Sequence, residues 1–242
     1  MTLPQTLPKE PAEARPCPEA AVRDHPMGRI GLYELFWVFF LASGLGALCE
    51  IVFCRFSMGW FMSRSGVLYG QFSLVWGVGA VLFTLLFCRR GTGRPAVIFC
   101  AGTAVGAVYE YACSWLQEAA FGASFWDYSH LPLNLNGRIN LAFCLFWGGA
   151  ALLWAKAACP LIRRWIGCIP GRVGRPLTLC LALLMAANIA LSGAALLRSG
   201  ARRQDVPAQN AVEAFLDRHY PDQRLKESFP TLRWVEDGAG AV

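Results

Sequence analysis

The chain is poor in charge. Asp, Glu, Lys and Arg make up 16% of its 242 residues, against about a quarter in ordinary soluble domains, which argues against a water-soluble globule. It holds three histidines, His25, His130 and His219, scattered over separate polar stretches. It has no Cys-x-x-Cys pair, so the close His/Cys spacing of a zinc site is missing. No metal or cofactor is expected. There is no Gly-x-x-x-x-Gly-Lys-Ser/Thr phosphate loop, so the chain is not itself an ATPase. His-Glu-x-x-His and Gly-x-Ser-x-Gly are absent too, which removes the familiar metalloprotease and hydrolase templates, and no enzyme is expected. The net charge of +6 does not mark a nucleic-acid surface, because the arginines sit beside apolar blocks.

What the sequence has is apolar residues in long runs, 55% of the chain, with a mean hydropathy of +0.40. Five runs stand out: Leu32 to Cys54, Val67 to Cys88, Ala96 to Gln117, Ile139 to Cys159 and Pro176 to Leu197. Each is near the ~20 residues that cross a ~30 Å hydrocarbon core. Backbone amides in lipid must be satisfied within their own segment, so these runs predict an all-α membrane protein with five transmembrane helices. The ten-residue alternating strands of a membrane β-barrel do not occur.

Residues 1–31 read as a disordered leader: the first 29 hold six of the fourteen prolines and no apolar core. It is not a signal peptide, so the first run is expected to stay as an uncleaved anchor. Residues 198–242 form a polar tail with seven Lys/Arg and seven Asp/Glu. One amphipathic helix, Ala208 to His219, is expected there, burying Val212, Phe215 and Leu216 against the bundle or the membrane. The second loop carries Arg89, Arg90 and Arg94, and the fourth Arg163, Arg164, Arg172 and Arg175. The positive-inside rule makes these the cytoplasmic loops of a plasma-membrane protein, with the N-terminus inside and the C-terminus outside. Arg198, Arg202 and Arg203, after the last run, count the other way. Eight of the ten cysteines lie in or at the ends of apolar runs, where free cysteine acts as a small buried hydrophobe.

The sequence also aligns with itself. Gly46-Ala47-Leu48-Cys49-Glu50 matches Gly106-Ala107-Val108-Tyr109-Glu110, and the run from Gly66 lies without a gap over the run from Gly137. Seven of those seventeen positions are identical, including Trp76-Gly77 and Trp147-Gly148. This predicts two parallel two-helix repeats, residues 32–88 and 96–159, related by an axis along the membrane normal, with the run at 176–197 as a fifth helix. The second repeat carries an inserted loop, residues 118–138, with Phe121, Phe125, Trp126 and Tyr128. These aromatics suit either the headgroup level or a folded cap.

Glu50 and Glu110 are the first candidates for a site. Acidic side chains within a span are costly and face the bundle interior or a wet cavity, with a partner. The duplication places the two at equal heights, with Arg64 and Arg138 as candidate partners. The pairs either lock the repeats together or form a substrate- or ion-binding site, for a proton, a cation or a zwitterion. Asp127 and Asn136 in the third loop complete the candidate set; Asp127 and His130 are one helical turn apart and could pair. Glu34 suits the dipole of a helix N-terminus. Gly102-x-x-x-Gly106 and the stripe Ala182, Ala186, Ala190 and Ala194 are close-packing faces, and Asn188 could bond across helices.

Phe125-Trp126-Asp127-Tyr128-Ser129 and Asn134-Leu135-Asn136-Gly137-Arg138-Ile139, with Glu110-Tyr111, Ser114, Trp147-Gly148 and Ser65-Gly66-Val67-Leu68-Tyr69-Gly70, resemble a known bacterial family. It is the family of small multi-span proteins described as type IV ABC-transporter permeases, and the resemblance covers most of residues 32–200. Phe215-Leu216-Asp217 and Tyr220-Pro221-Asp222 resemble its tails. Gln71 and Trp76 stand where that family leads one to expect Pro and Tyr. The resemblance implies a membrane subunit for a small solute, embedded in the lipid bilayer, with ATP hydrolysis by a separate nucleotide-binding subunit, or a homo-oligomer. The alternative is a non-transporting scaffold or sensor that meets a partner through its third loop and tail.

Overall fold

The apolar runs fold as helices, four of them long and apolar enough to cross a membrane. The computed structural model describes residues 30–88 and 93–235, so the expected leader and Arg89 and Arg90 lie outside the described residues. α1 (Leu32–Met58) is followed by the shorter α2 (Leu74–Phe87), then by α3 (Pro95–Phe121), α4 (Leu141–Gly167) and α5 (Gly171–Arg203). α1, α3, α4 and α5 are long and apolar enough to cross a membrane. α2 has 14 residues, about 21 Å of helix.

The expected single helix Val67 to Cys88 is thus corrected: its first part, Val67 to Ser73, is irregular. Ser65 is the reason. Its Oγ lies 2.8 and 2.9 Å from the carbonyls of Val67 and Gly70 and accepts the N–H of Val67 (3.2 Å), bonds that compete with a helical turn. Gly70 adopts φ +81°, open to glycine at little cost. Backbone groups outside a helix need other partners, and α5 provides them. Asn188 Nδ2 donates to Tyr69 O (2.7 Å), Asn188 Oδ1 accepts the Tyr69 N–H (3.2 Å), and Ser192 Oγ accepts the Leu68 N–H (2.9 Å). This is the cross-helix role expected of Asn188, directed at an irregular segment rather than a helix.

The α1–α2 and α3–α4 pairs meet through the same devices. A Cβ on Gly46 would overlap the Trp76 side chain, and one on Gly106 would overlap Trp147. Gly77 lies against Ser43 and Phe39, as Gly148 does against Thr103 and Phe99. The face expected at Gly102-x-x-x-Gly106 seats Ala151 and Trp147 of α4. α4 carries one π-helical turn, Trp154–Ala158. Pro160 comes two residues later; it has no N–H for the carbonyl of Lys156, and in a regular α-helix its ring would clash with that carbonyl.

At one end of the bundle, Val38 and Ala42 of α1 pack on Ile162 and Ile166 of α4. Trp37 Nε1 donates to Thr178 Oγ1 (2.9 Å), and Glu34 pairs with Arg163 (3.5 Å). At the other end, the tail meets the ends of α3 and α5. β1 (Ala123–Ser124) pairs antiparallel with β4 (Arg233–Trp234), and within the third loop β2 (Asn134–Leu135) pairs with β3 (Ile139–Asn140). Residues 59–73 and α2 therefore carry the chain from the tail end of α1 back to the start of α3.

The tail holds two helices, α6 (Ala211–His219) and α7 (Asp222–Ser228). Leu216, Tyr220, Leu225 and Phe229 are buried against Ala195 and Leu196 of α5. Of the three residues expected to be buried, only Leu216 is; Val212 and Phe215 are exposed, because the docking face continues into α7. In the alanine stripe, Ala186 and Ala190 are exposed. Ala194 packs on the core formed with the tail, and Ala182 is half-buried. The eight cysteines of the apolar runs are free thiols, three of them buried.

Candidate functional site

Glu50 lies eight residues before the end of α1, about 12 Å along the axis. Its Oε2 accepts Arg64 Nε (3.0 Å) and its Oε1 accepts Trp76 Nε1 (2.7 Å). Arg64 reaches it from the irregular segment after α1, which folds back alongside the helix. Glu110 is held differently: Oε2 accepts Trp147 Nε1 (3.1 Å) and Oε1 accepts the Tyr128 hydroxyl (2.9 Å). Tyr128 comes from the third loop and is stacked on Phe143 at 4.6 Å. The two indoles join the halves, with ring centroids 5.4 Å apart and planes at 36°.

The electrostatics of the two carboxylates differ. Arg64 neutralises Glu50, whose side chain is 25% exposed. Glu110 is 5% exposed, and among the described residues no Lys, Arg or His forms an ion pair with it. It relies on two neutral donors. Burial, and after it the neighbouring Glu110, pushes the Tyr128 hydroxyl up from its ordinary range, so the phenol stays protonated and donating. An ionised carboxylate without a cation is costly to bury. Glu110 is therefore suited to taking a proton or a cation.

Arg138 does not join this cluster. It pairs with Glu118, nearer the loop, and lies over the Tyr111 ring at 5.6 Å. The expected Glu110–Arg138 pair is corrected: the Tyr128 hydroxyl occupies the oxygen that Arg138 would have used. Asn136, at φ +55°, forms the β2–β3 turn and donates through Nδ2 to the Tyr111 hydroxyl (3.1 Å). Asp127 holds a turn: it accepts from Ser129 N and Oγ, both at 2.9 Å, and Arg233 stands 3.4 Å away. The Ser129 N–H keeps its carboxyl below the ordinary range. Its hydrogen bonds go to Ser129 and Arg233 rather than His130, because the segment is a turn and not a helix.

Trp76, Trp147 and Tyr128 were not singled out as site residues from the sequence. The two tryptophans were visible as the identity at the centre of the aligned runs. Tyr128 was visible as one of the aromatics of the inserted loop, but nothing in the sequence tied it to Glu110.

The model of a protein family described as "Putative ABC-transporter type IV" matches residues 37–193, from Trp37 in α1 to Gly193 in α5, and so includes both carboxylates, both tryptophans, Arg64 and Tyr128. No curated protein and no solved structure matches the chain. With well over half of its length matched, the chain belongs to the putative ABC-transporter type IV family.

Proposed function

We propose that this protein is the membrane subunit of a small-solute transporter, with Glu50, Glu110 and Arg64 at the substrate or ion site and ATP hydrolysis supplied by a separate subunit. The observation that carries this is the unequal treatment of two carboxylates at matched positions, one neutralised by Arg64 and the other left with neutral donors only. A pair of structural locks would give both the same cation. In this reading residues 59–73 and α2 make the second of five crossings, half irregular and half helical. The α1–α2 and α3–α4 pairs are then parallel repeats; the matched packing of Gly46 with Trp76 and of Gly106 with Trp147 supports it. Arg163, Arg164, Arg172 and Arg175 belong to the end where α1 and α5 start, which favours that end as cytoplasmic. Arg198 and Arg202, at the tail end, are ion-paired with Asp217 and Asp222. They weigh less against this orientation than unpaired arginines would. Asp127, Asn136 and Arg138 act as framework of the third loop.

The scaffold reading keeps one specific support, the exposed cap that the third loop and the tail build together through β1 and β4. Purification from native membranes in mild detergent distinguishes the two. The transporter reading expects a nucleotide-binding subunit to come down with the chain, and ATP hydrolysis by that complex to fall in the Glu50→Gln, Glu110→Gln double variant. A chain that comes down without an ATPase, or a complex indifferent to the double substitution, overturns it.

A further inference from the structure

The two halves are not equally closed. On the α2–α3 side, Tyr109 fills the seam: its hydroxyl donates to Val75 O (2.7 Å) and its ring meets Trp147 edge-on at 5.8 Å. The residue at the matched place on α1 is Cys49, which is exposed. α1 packs on the C-terminal half of α4 through Val38 and Ala42 but is scarcely in contact with its N-terminal half. The two helices thus diverge toward the tail end, leaving Phe53 of α1 and Phe146 of α4 61% and 55% exposed. The burial of the polar groups follows the same asymmetry. Trp147 is buried and Trp76 half-buried, and Glu110 is more deeply buried than Glu50.

We propose that the seam between α1 and the N-terminal half of α4 is a lateral portal that admits a zwitterionic phospholipid from the leaflet at the tail end, its headgroup seated on the Glu50–Arg64 pair. This deepens the reading of Glu50 as part of a substrate site and rests on it. The chemistry of the pair selects a zwitterion. Arg64 engages Glu50 through Nε alone, and its remaining N–H groups have no partner among the described residues, so they are available to a phosphate. The carboxylate, beside the half-buried Trp76 ring and Phe146 6.0 Å from it, suits a quaternary or primary ammonium. A neutral ion pair discriminates against a headgroup of one sign, and the exposed apolar walls of Phe53 and Phe146 suit acyl chains. Glu50 lies eight residues from the tail end of α1, about 12 Å along the axis.

The experiment measures retention of nitroxide-labelled phosphatidylcholine, with labelled diacylglycerol as the headgroup-free control, by electron spin resonance on the full-length purified protein. The wild type is expected to favour phosphatidylcholine by about tenfold, the factor that one charge-assisted hydrogen bond supplies. Cys49→Tyr, which rebuilds at the portal the plug Tyr109 forms opposite, is expected to remove that preference, while Leu179→Tyr on the exposed face of α5 keeps it. Glu50→Gln with Arg64→Gln keeps the shape of the site and is expected to lose the headgroup preference, which decides the matter even if Cys49→Tyr fails to fold. A wild type that does not distinguish the two lipids, or a folded Cys49→Tyr protein that behaves as wild type, overturns the portal. Because retention is read without nucleotide, unselective retention beside an intact ATPase complex overturns the portal alone. Selective retention by a chain with no ATPase partner overturns the transporter reading alone.

Discussion

Trp76 and Trp147 lie ring against ring, 5.4 Å between centroids, and each donates its indole N–H to the glutamate of its own helix pair. They hold identical places in the two aligned runs, so on the proposed duplication their contact falls on the axis relating the halves. One residue type does two jobs: its ring joins the halves and its N–H satisfies a carboxylate within a span.

The two N–H groups are not of equal value. Trp147→Phe leaves Glu110, 5% exposed, with Tyr128 as its one remaining donor. A loss of about 1–3 kcal/mol is expected, the range for a buried polar group deprived of a partner. Trp76→Phe is expected to cost less, because Glu50 keeps Arg64 and partial exposure. Denaturant unfolding in detergent micelles compares the two, and a larger loss for Trp76→Phe would contradict the electrostatic asymmetry.

Close approach of the paired helices depends on Gly46 and Gly106, where any Cβ would overlap a tryptophan side chain. Gly46→Val and Gly106→Val are each expected to destabilise by about 1–3 kcal/mol through overpacking. Gly149→Ala is the control: nothing lies within 4 Å of a Cβ there, and no loss is expected. Thermal melts of the three variants in one detergent check this, and equal melts would show that the glycines do not set the helix spacing.

Asn188 holds both backbone groups of Tyr69 in the irregular segment. Asn188→Ala leaves that N–H and C=O without protein partners, so residues 66–73 are expected to open first. Hydrogen exchange in nanodiscs should speed up in that segment while α3 stays protected. Unchanged exchange there would mean that Asn188 is dispensable.

The tail should respond to acid. Hydrogen bonds from Arg198, and then Arg202, draw the Asp217 carboxyl down to about 2 from its ordinary 3.8. A carboxyl lowered on folding adds stability above its unfolded value and loses it as the pH falls through the folded one. Docking of the tail on α5 should therefore weaken between about pH 4 and pH 2, with proteolysis by an acid-active protease at residues 204–221 as the readout. Asp217→Asn should loosen the tail at neutral pH and flatten the acid response. A tail equally resistant at both ends of that range would remove the network from the account of docking.

Much of the architecture was legible because apolar runs of this length carry their own backbone solution. α1, α3, α4 and α5 fall where the runs predict. The second run misled because hydropathy does not register what a serine hydroxyl does to the backbone, and Ser65 and Gly70 spend seven residues of apolar sequence on an irregular segment. Pairing was legible only where it was local in the fold. Glu50 and Arg64 are 14 residues apart, on a helix and the segment folding back along it. Glu110 takes its donors from 18 and 37 residues away, and Arg138 turned to Glu118 once Tyr128 had filled its place.

The amino-acid sequence by itself determined the helical membrane class, the family and the two glutamates worth testing, because the cost of exposed backbone in lipid and of charge in a span acts on each segment separately. Only the tertiary structure decided which glutamate received the cation, which seam a tyrosine closed and which a cysteine left open. Those outcomes depend on where side chains from distant segments meet, and at aligned positions of two helix pairs a difference of one side chain, Tyr109 against Cys49, distinguishes one seam from the other.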